Sequence, residues 1–408
     1  VLTLAGCGGG ASQPDPRLRG TQLTIYSSSP QRGPLRAVAA DVMDAEQLGL
    51  AQQGGRLGRY RLRLIALDAS TPGAGRSDPA KISQNARLAA KDPRTIAYLG
   101  ESATGSSAIS IPLLNEAGIL QVSPLDTAMA LTTTSLAVAG SPERFYPKLR
   151  DVGRTFARVV PSDRSQVDAL LADMRQAGVR RLGLLTDEDP SGRALATNLR
   201  AKAHAAGIAV VAREEIDEHV PRHDDAIARI GEAQPDAVLD ATGARPGAAR
   251  LWRELHAADP HLRLFAPANL ADPSFVAGLG PAAGVAHVTR PVLAEGDDSR
   301  ASGRFARAFA RRYGHAPVPE ARYGYEAMRS VLDAIRRAEL RAPDRLITRA
   351  AVVRAYFATA SRNGILGTYA IDAAGDTSLR DWAAYRVVDG HLSFSGTLSG
   401  GRSASGER

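Results

Sequence analysis

The feature that most restricts what this chain can fold into is a regular alternation, from Thr21 to about Thr289, of short β-rich runs with segments of helical period. TQLTIY is followed by Leu35, Val38, Ala39, Val42 and Met43, spaced as the apolar stripe of a helix lying on a sheet. RLRLIAL, from Arg61 to Leu67, reads as the next strand, and Asp78-Pro79 supplies a cap and first-turn pair for a helix ending near Lys91. TIAYL, a helix from Ser106 to Ala117, and ILQV complete a first series. TFARVV, RRLGLL, IAVVA, DAVLD, RLFA and VAHVT form a second, each separated from the next by a helical segment. Such alternation predicts parallel sheets covered by helices on both faces, and 408 residues are too many for one ordinary core. The expected class is therefore α/β with two lobes.

The end of the chain departs from this rhythm. Helices are expected at Ser299 to Tyr313, Pro319 to Glu339 and Thr348 to Ala360, then three short strands, LGTYAI, WAAYRVV and HLSFSG, separated by Gly/Asp turns. Gly400 to Arg408 reads as a polar tail.

The interior holds no apolar run of the roughly 18 residues needed to span a bilayer. The formal charge of +8 raises the question of nucleic acid, but no basic run, zinc-ligand spacing or stacking aromatics accompany it. The single cysteine, Cys7, excludes a disulfide within the chain. Leu4-Ala5-Gly6-Cys7 resembles a lipobox, in which small residues fit the peptidase site and the cysteine is acylated. Residues 1–7 then read as a signal remnant and 8–20, GGGASQPDPRLRG, as a tether with a coil reach of roughly 20 Å.

The stretch YLGESATGSSA, from Tyr98, approaches two catalytic motifs and completes neither. Gly100 and Gly105 are followed by Ser106 and Ser107 as in a phosphate-binding loop, but the lysine is absent. Ser102 follows Gly100 as in a nucleophile elbow, but the second glycine comes one residue late. No cofactor is implied. In open parallel sheets ligands collect beyond the carboxyl ends of strands, where loops lead into helix N-termini. The loop at Ser102, Ala103 and Thr104 and that at Ser123, Leu125, Asp126 and Thr127 both follow predicted strands, and together offer hydroxyls and amides to a small carboxylate.

The segment YLGESATGSSAISIPLLNEAGILQVSPLDTAMALT resembles the signature region of type I periplasmic solute-binding proteins, particularly the leucine/isoleucine/valine-binding family. LIALDAST, FARVVPSDRSQ, GYEAMRSVLDAI and LGTYAIDAAGD agree with that family in order. The resemblance implies two Rossmann-like lobes joined by three crossings near Ala157 to Pro161, Val288 to Pro291 and Gly364 to Thr368. Lobe one would comprise 21–157 plus 290–364, and lobe two 158–289 plus 365–398. With the lipobox reading of Cys7, it implies an extracytoplasmic, monomeric, lipid-anchored receptor that delivers solute to ABC permease subunits and has no enzymatic activity. Carried over by position, the carboxylate-binding serine falls on Thr104, the backbone contact on Leu125 and the threonine on Thr127. The family's aromatic walls fall on Ser191 and Gly243, and its ammonium-binding acid near Ala268 or Asn269. These departures predict poor binding of leucine, isoleucine and valine. They leave a carboxylate without a free α-amino group, or a polar amino acid held by Asp187, Asp189 or Asp240.

Two other classes fit less well. The run DEHVPRHDD, from Asp217, gathers histidines and acids without the helical spacing of a metal pair, and Asp224 reads more simply as a helix cap. The acids of TDEDPSG, from Thr186, could act as acid and base, but lining a cleft requires fewer coincidences. A sensory receptor of the same fold, uncoupled from a permease, remains the alternative within the same architecture.

Overall fold

The computed structural model describes residues 20–33, 35–71, 77–217, 219–220, 222–243, 247–291 and 300–399. Cys7, most of the expected tether and the polar tail lie outside the described residues.

Two main sheets organise the chain. The first contains β1 (Gln22–Ser29), β2 (Arg56–Leu57), β3 (Tyr60–Asp68), β4 (Thr95–Leu99), β5 (Leu120–Ser123) and β6 (Phe156–Arg158), in the order β2-β3-β1-β4-β5-β6. Its strands run parallel except at the β2–β3 hairpin. The second holds β7 (Arg181–Thr186), β8 (Ala209–Glu215), β9 (Ala237–Asp240), β10 (Arg263–Ala266) and β11 (Ala286–Arg290). A separate hairpin, β12 (Arg362–Gly364) and β13 (Gly367–Tyr369), follows before β14 (Asp381–Val388) and β15 (His391–Ser399) close the second sheet. Its order is β15-β14-β11-β10-β9-β7-β8, antiparallel only where β14 meets β11 and β15. This is the α/β class expected, with two mostly parallel sheets.

Burial explains which runs became central strands. Every residue of TIAYL in β4 is buried, as a parallel strand covered on both faces requires, whereas β15 lies at an edge and is largely exposed. Asp78 caps the helix Pro79–Lys91 as expected, its Oδ1 accepting from the N–H groups of Ala80 and Lys81 at 2.8 and 3.1 Å. The helix Arg36–Gln52 lies against Ala321–Leu340 at very short range, since a Cβ at Gly324 would stand 2.4 Å from the Val42 carbonyl oxygen.

The third crossing lies later than expected. Gly364 to Thr368 form the turn of the β12–β13 hairpin, and Ile365, Leu366, Tyr369 and Ile371 join the core of the first lobe with Leu23 and Ile25. The cause is Glu326, buried in the helix Ala321–Leu340. It accepts from Arg362 Nε at 2.6 Å, Tyr369 O–H at 2.8 Å and Ile365 N–H at 3.1 Å, and so fastens the hairpin to that lobe. The chain then passes β6, where the Gly375 carbonyl accepts from Arg158 N–H at 2.9 Å, and enters the second sheet at β14.

Candidate functional site

Parallel strands deliver their carboxyl ends to one side of a sheet, and here the two sides face each other across a cleft of about 770 Å³. Loops after β4 and β5 bring Ser102, Ala103, Thr104, Leu125 and Thr127 to one wall. Loops after β7, β9 and β10 bring Asp187, Asp189, Gly243 and Asn269 to the other. Arg290 and Glu320, paired with each other, stand where the lobes join.

The first wall is a surface of hydroxyls held from behind. Thr104 Oγ1 and Thr127 Oγ1 are 3.0 Å apart, and Ser102 Oγ lies 2.5 Å from Ser29 Oγ at the end of β1. Ser123 and Asp126, expected among the ligand contacts, do not line the cleft. Ser123 Oγ donates to the Glu101 carbonyl at 2.7 Å and accepts from the Asp126 N–H at 2.8 Å, which shapes both loops. The fully buried Asp126 carboxylate accepts from the Gly105 and Ser107 N–H groups at 2.7 and 2.8 Å. The chain's own carboxylate thus occupies the helix start expected to receive the solute's, because a buried helix N-terminus must find an acceptor. An anion in the cleft would be met by hydroxyls instead.

The second wall is acidic. Asp187 accepts from the N–H groups of Asp189 and Gly243 at 2.9 and 2.8 Å, and Asp189 caps the helix Pro190–Ala203 through Gly192 N–H at 2.9 Å. Asp240 is not available to a solute. It is buried, with Oδ1 accepting from Thr242 Oγ1 at 2.6 Å and Oδ2 from Trp252 Nε1 at 2.9 Å. Ser191 lines a small recess beside the main cleft with Thr104, Thr127, Asp163 and Asn269. The lobes come close there: a Cβ on Gly105, whose φ is +82°, would lie 2.6 Å from Ser191 Oγ. Burial pushes the Asp163 carboxyl up to about 7, against hydrogen bonding from Thr127.

Some of this was hidden from sequence reasoning. Leu35 and Val38 read as core stripe but line the cleft mouth. Arg290 could have been found, since it directly follows the predicted strand VAHVT, whereas Glu320 carries no local signal. Asp224 is the first residue of its helix rather than the cap, its carboxylate paired with Arg222 at 2.8 Å. Among the described residues, no helix is long and apolar enough to cross a membrane.

A family model described as periplasmic binding protein matches residues 23–391. A leucine-binding protein from Thermotoga maritima superposes with TM-score 0.76 at 21% identity, covering 92% of this chain and 99% of that one. The branched-chain amino acid transporter substrate-binding protein of Streptococcus pneumoniae, solved with isoleucine, gives 0.72 at 14% identity, with 93% and 99% covered. An ABC-transporter solute-binding protein of R. palustris, solved with benzoate, gives 0.70 at 18%, with 93% and 96% covered. At these identities the likeness is one of fold. No curated protein matches the chain.

Proposed function

The chain belongs to the periplasmic binding protein family, and on that premise we propose that it is the lipid-anchored receptor of an ABC importer, binding a small carboxylate-bearing solute between its lobes. Family members are extracytoplasmic solute-binding proteins that work with ABC permeases, and they are not enzymes. The observation that carries the reading is the cleft itself, with the hydroxyls of Ser102, Thr104 and Thr127 on one lobe facing polar groups on the other. Isoleucine and benzoate, bound by structural neighbours, both bear a carboxylate. Hydroxyls donate well to such a group. A solute touching both lobes only when they close shifts the open–closed equilibrium by the difference in its affinity for the two states.

A thermal-shift screen followed by small-angle scattering tests this. A true ligand at a hundredfold its dissociation constant adds about 2.7 kcal/mol of stability and reduces the radius of gyration. Thr104→Val should weaken that ligand by about 1 to 3 kcal/mol in calorimetry, the cost of a lost hydrogen bond to a charged group. A ligand that binds with no change in scattering profile argues for a rigid cleft and against the receptor mechanism.

The anchor rests on Cys7 in its LAGC setting. With a complete signal sequence ahead of it, Cys7→Ser is expected to move the protein from the membrane fraction to the soluble one, since lipid chains supply the attachment. Equal retention of both forms would remove the anchor from the proposal.

A further inference from the structure

The hydrogen-bonding capacity left open on the cleft's second wall and floor is that of acceptors. Asn269 and Glu320 line the cleft, and their buried Oδ1 and Oε2 atoms have no partner among the described residues. Asn269 cannot turn its amide round, because its Nδ2 donates to the Thr242 carbonyl at 3.2 Å. Glu320 is only 7% exposed, and its other oxygen is taken by Arg290. Asp187, also 7% exposed, receives only main-chain N–H groups on its two oxygens. A carboxylate has roughly four lone-pair positions, so each of these acids retains acceptor capacity.

Among the described residues, no ion pair to a protein cation neutralises Asp187 or Asp189. Arg193 donates through Nε to the Asp187 main-chain oxygen at 2.6 Å and pairs with Glu215. Glu188, Asp217 and Asp272 line the same wall, while Arg290 and His219 are the basic residues among the described lining. The chain as a whole carries +8, so this acidity is a local feature of the cleft and not of composition. Burial raises the Asp189 carboxyl above its ordinary value, against the Gly192 hydrogen bond, and the charge of Asp187 adds to the rise. Acids desolvated side by side without a counter-charge are costly. A wall of one sign in a cleft concentrates the opposite charge.

The geometry points to a solute that carries a cationic nitrogen group rich in N–H donors, an ammonium or guanidinium, seated against Asp187, Asp189 and Asn269 Oδ1 while its carboxylate meets Thr104 and Thr127. An amino acid with a basic side chain, or a comparable ω-amino or ω-guanidino acid, has this chemistry. The inference rests on the solute-binding reading above and deepens it. It also selects between the acids available on the second lobe, since Asp240 is already committed to Trp252 and Thr242.

Calorimetry with matched pairs tests the assignment on the full chain: arginine against citrulline, lysine against norleucine, and 4-guanidinobutyrate against hexanoate. At least one cationic member should bind ten times or more tightly than its neutral partner, with affinity falling as salt rises. The Asp187→Asn/Asp189→Asn variant should abolish that preference. Asparagine is a good helix cap, so the helix after Asp189 is retained, and circular dichroism checks the fold. Thr104→Val should instead weaken both members of a pair alike. If neutral or purely anionic probes bind and close the lobes while no cationic probe does, the cation assignment is overturned and the receptor reading stands. If no probe of any class binds or compacts the protein, both fall together.

Discussion

Replacing Arg158 by methionine is expected to lower the unfolding free energy by about 3 to 5 kcal/mol, the usual cost of leaving a buried ion-pair partner alone. Arg158 is fully buried at the end of β6 and joins three parts of the chain. Its Nε donates to Asp376 Oδ1 at 2.7 Å, its Nη1 to the carbonyls of Asp126 and Ala128 at 2.9 and 3.0 Å, and its Nη2 to Thr132 Oγ1 at 2.7 Å. The guanidinium also stands 5.5 Å from the centre of the Phe156 ring. Methionine fills much of the volume but satisfies none of these acceptors. Unlike a surface ion pair, which contributes little, this one has its guanidinium wholly buried and its carboxylate only 14% exposed.

The same substitution should reach the ligand. Thr127 lies between the two carbonyls that Arg158 holds, and Asp376 lies on the segment leading to the third crossing. Arg158→Met should therefore weaken solute binding by more than Thr104→Val does, although Arg158 does not line the cleft. Arg158→Lys should recover part of the stability and less of the binding, because an ammonium cannot span the same fork of acceptors. Denaturant titration gives the first quantity and calorimetry the second. A loss below about 1 kcal/mol in the methionine variant would mean that the acceptors find other donors.

Strand positions in this chain were legible because parallel strands covered on both faces must be apolar nearly throughout, and TIAYL and RLFA are short runs of that kind bounded by turn residues. The loops after them could be expected at the cleft for the same topological reason, while Thr104 and Thr127 were singled out within them by resemblance to the leucine/isoleucine/valine-binding family. Assigning roles within a loop was harder. Asp126 and Asp187 are both acids just beyond strand ends, yet Asp126 faces a helix start inside its own lobe and Asp187 faces the cleft. Which way each turns depends on Gly105, Ser107 and Gly243, whose amides become neighbours only in three dimensions. The third crossing was misplaced for a similar reason, since Glu326 and the hairpin it holds are distant in sequence.

Stability is expected to fall as pH rises from about 5 to about 8, the reverse of the trend set by carboxylates paired in the native state. Burial pushes the carboxyls of Glu46 and Glu101 up to about 8, in the second case against hydrogen bonds from Tyr98 and Ser28. Asp163 is raised to about 7, chiefly by burial. In the unfolded chain these groups lose their protons near pH 4. Between the two values the native state binds more protons than the unfolded state, so each group lowers stability by up to about 1.4 kcal/mol per pH unit. Their contribution is fully present below the unfolded value and is lost as pH climbs through the folded one. Asp92 and Asp173 work in the opposite sense, each held below its ordinary value against burial, by bonds from Arg94 in one case and from His287 and Arg386 in the other. What they contribute is lost only below about pH 4, so they do not offset the decline at higher pH. Glu46 is 1% exposed in the helix Arg36–Gln52, and its Oε2 has no partner, so Glu46→Gln removes an ionisable group without emptying its site. That variant should melt with a shallower pH dependence than the parent and be the more stable of the two at pH 8. A melting temperature of the parent that rises over the same interval would show that Glu46 and Glu101 are reached by water and ionise at their ordinary values.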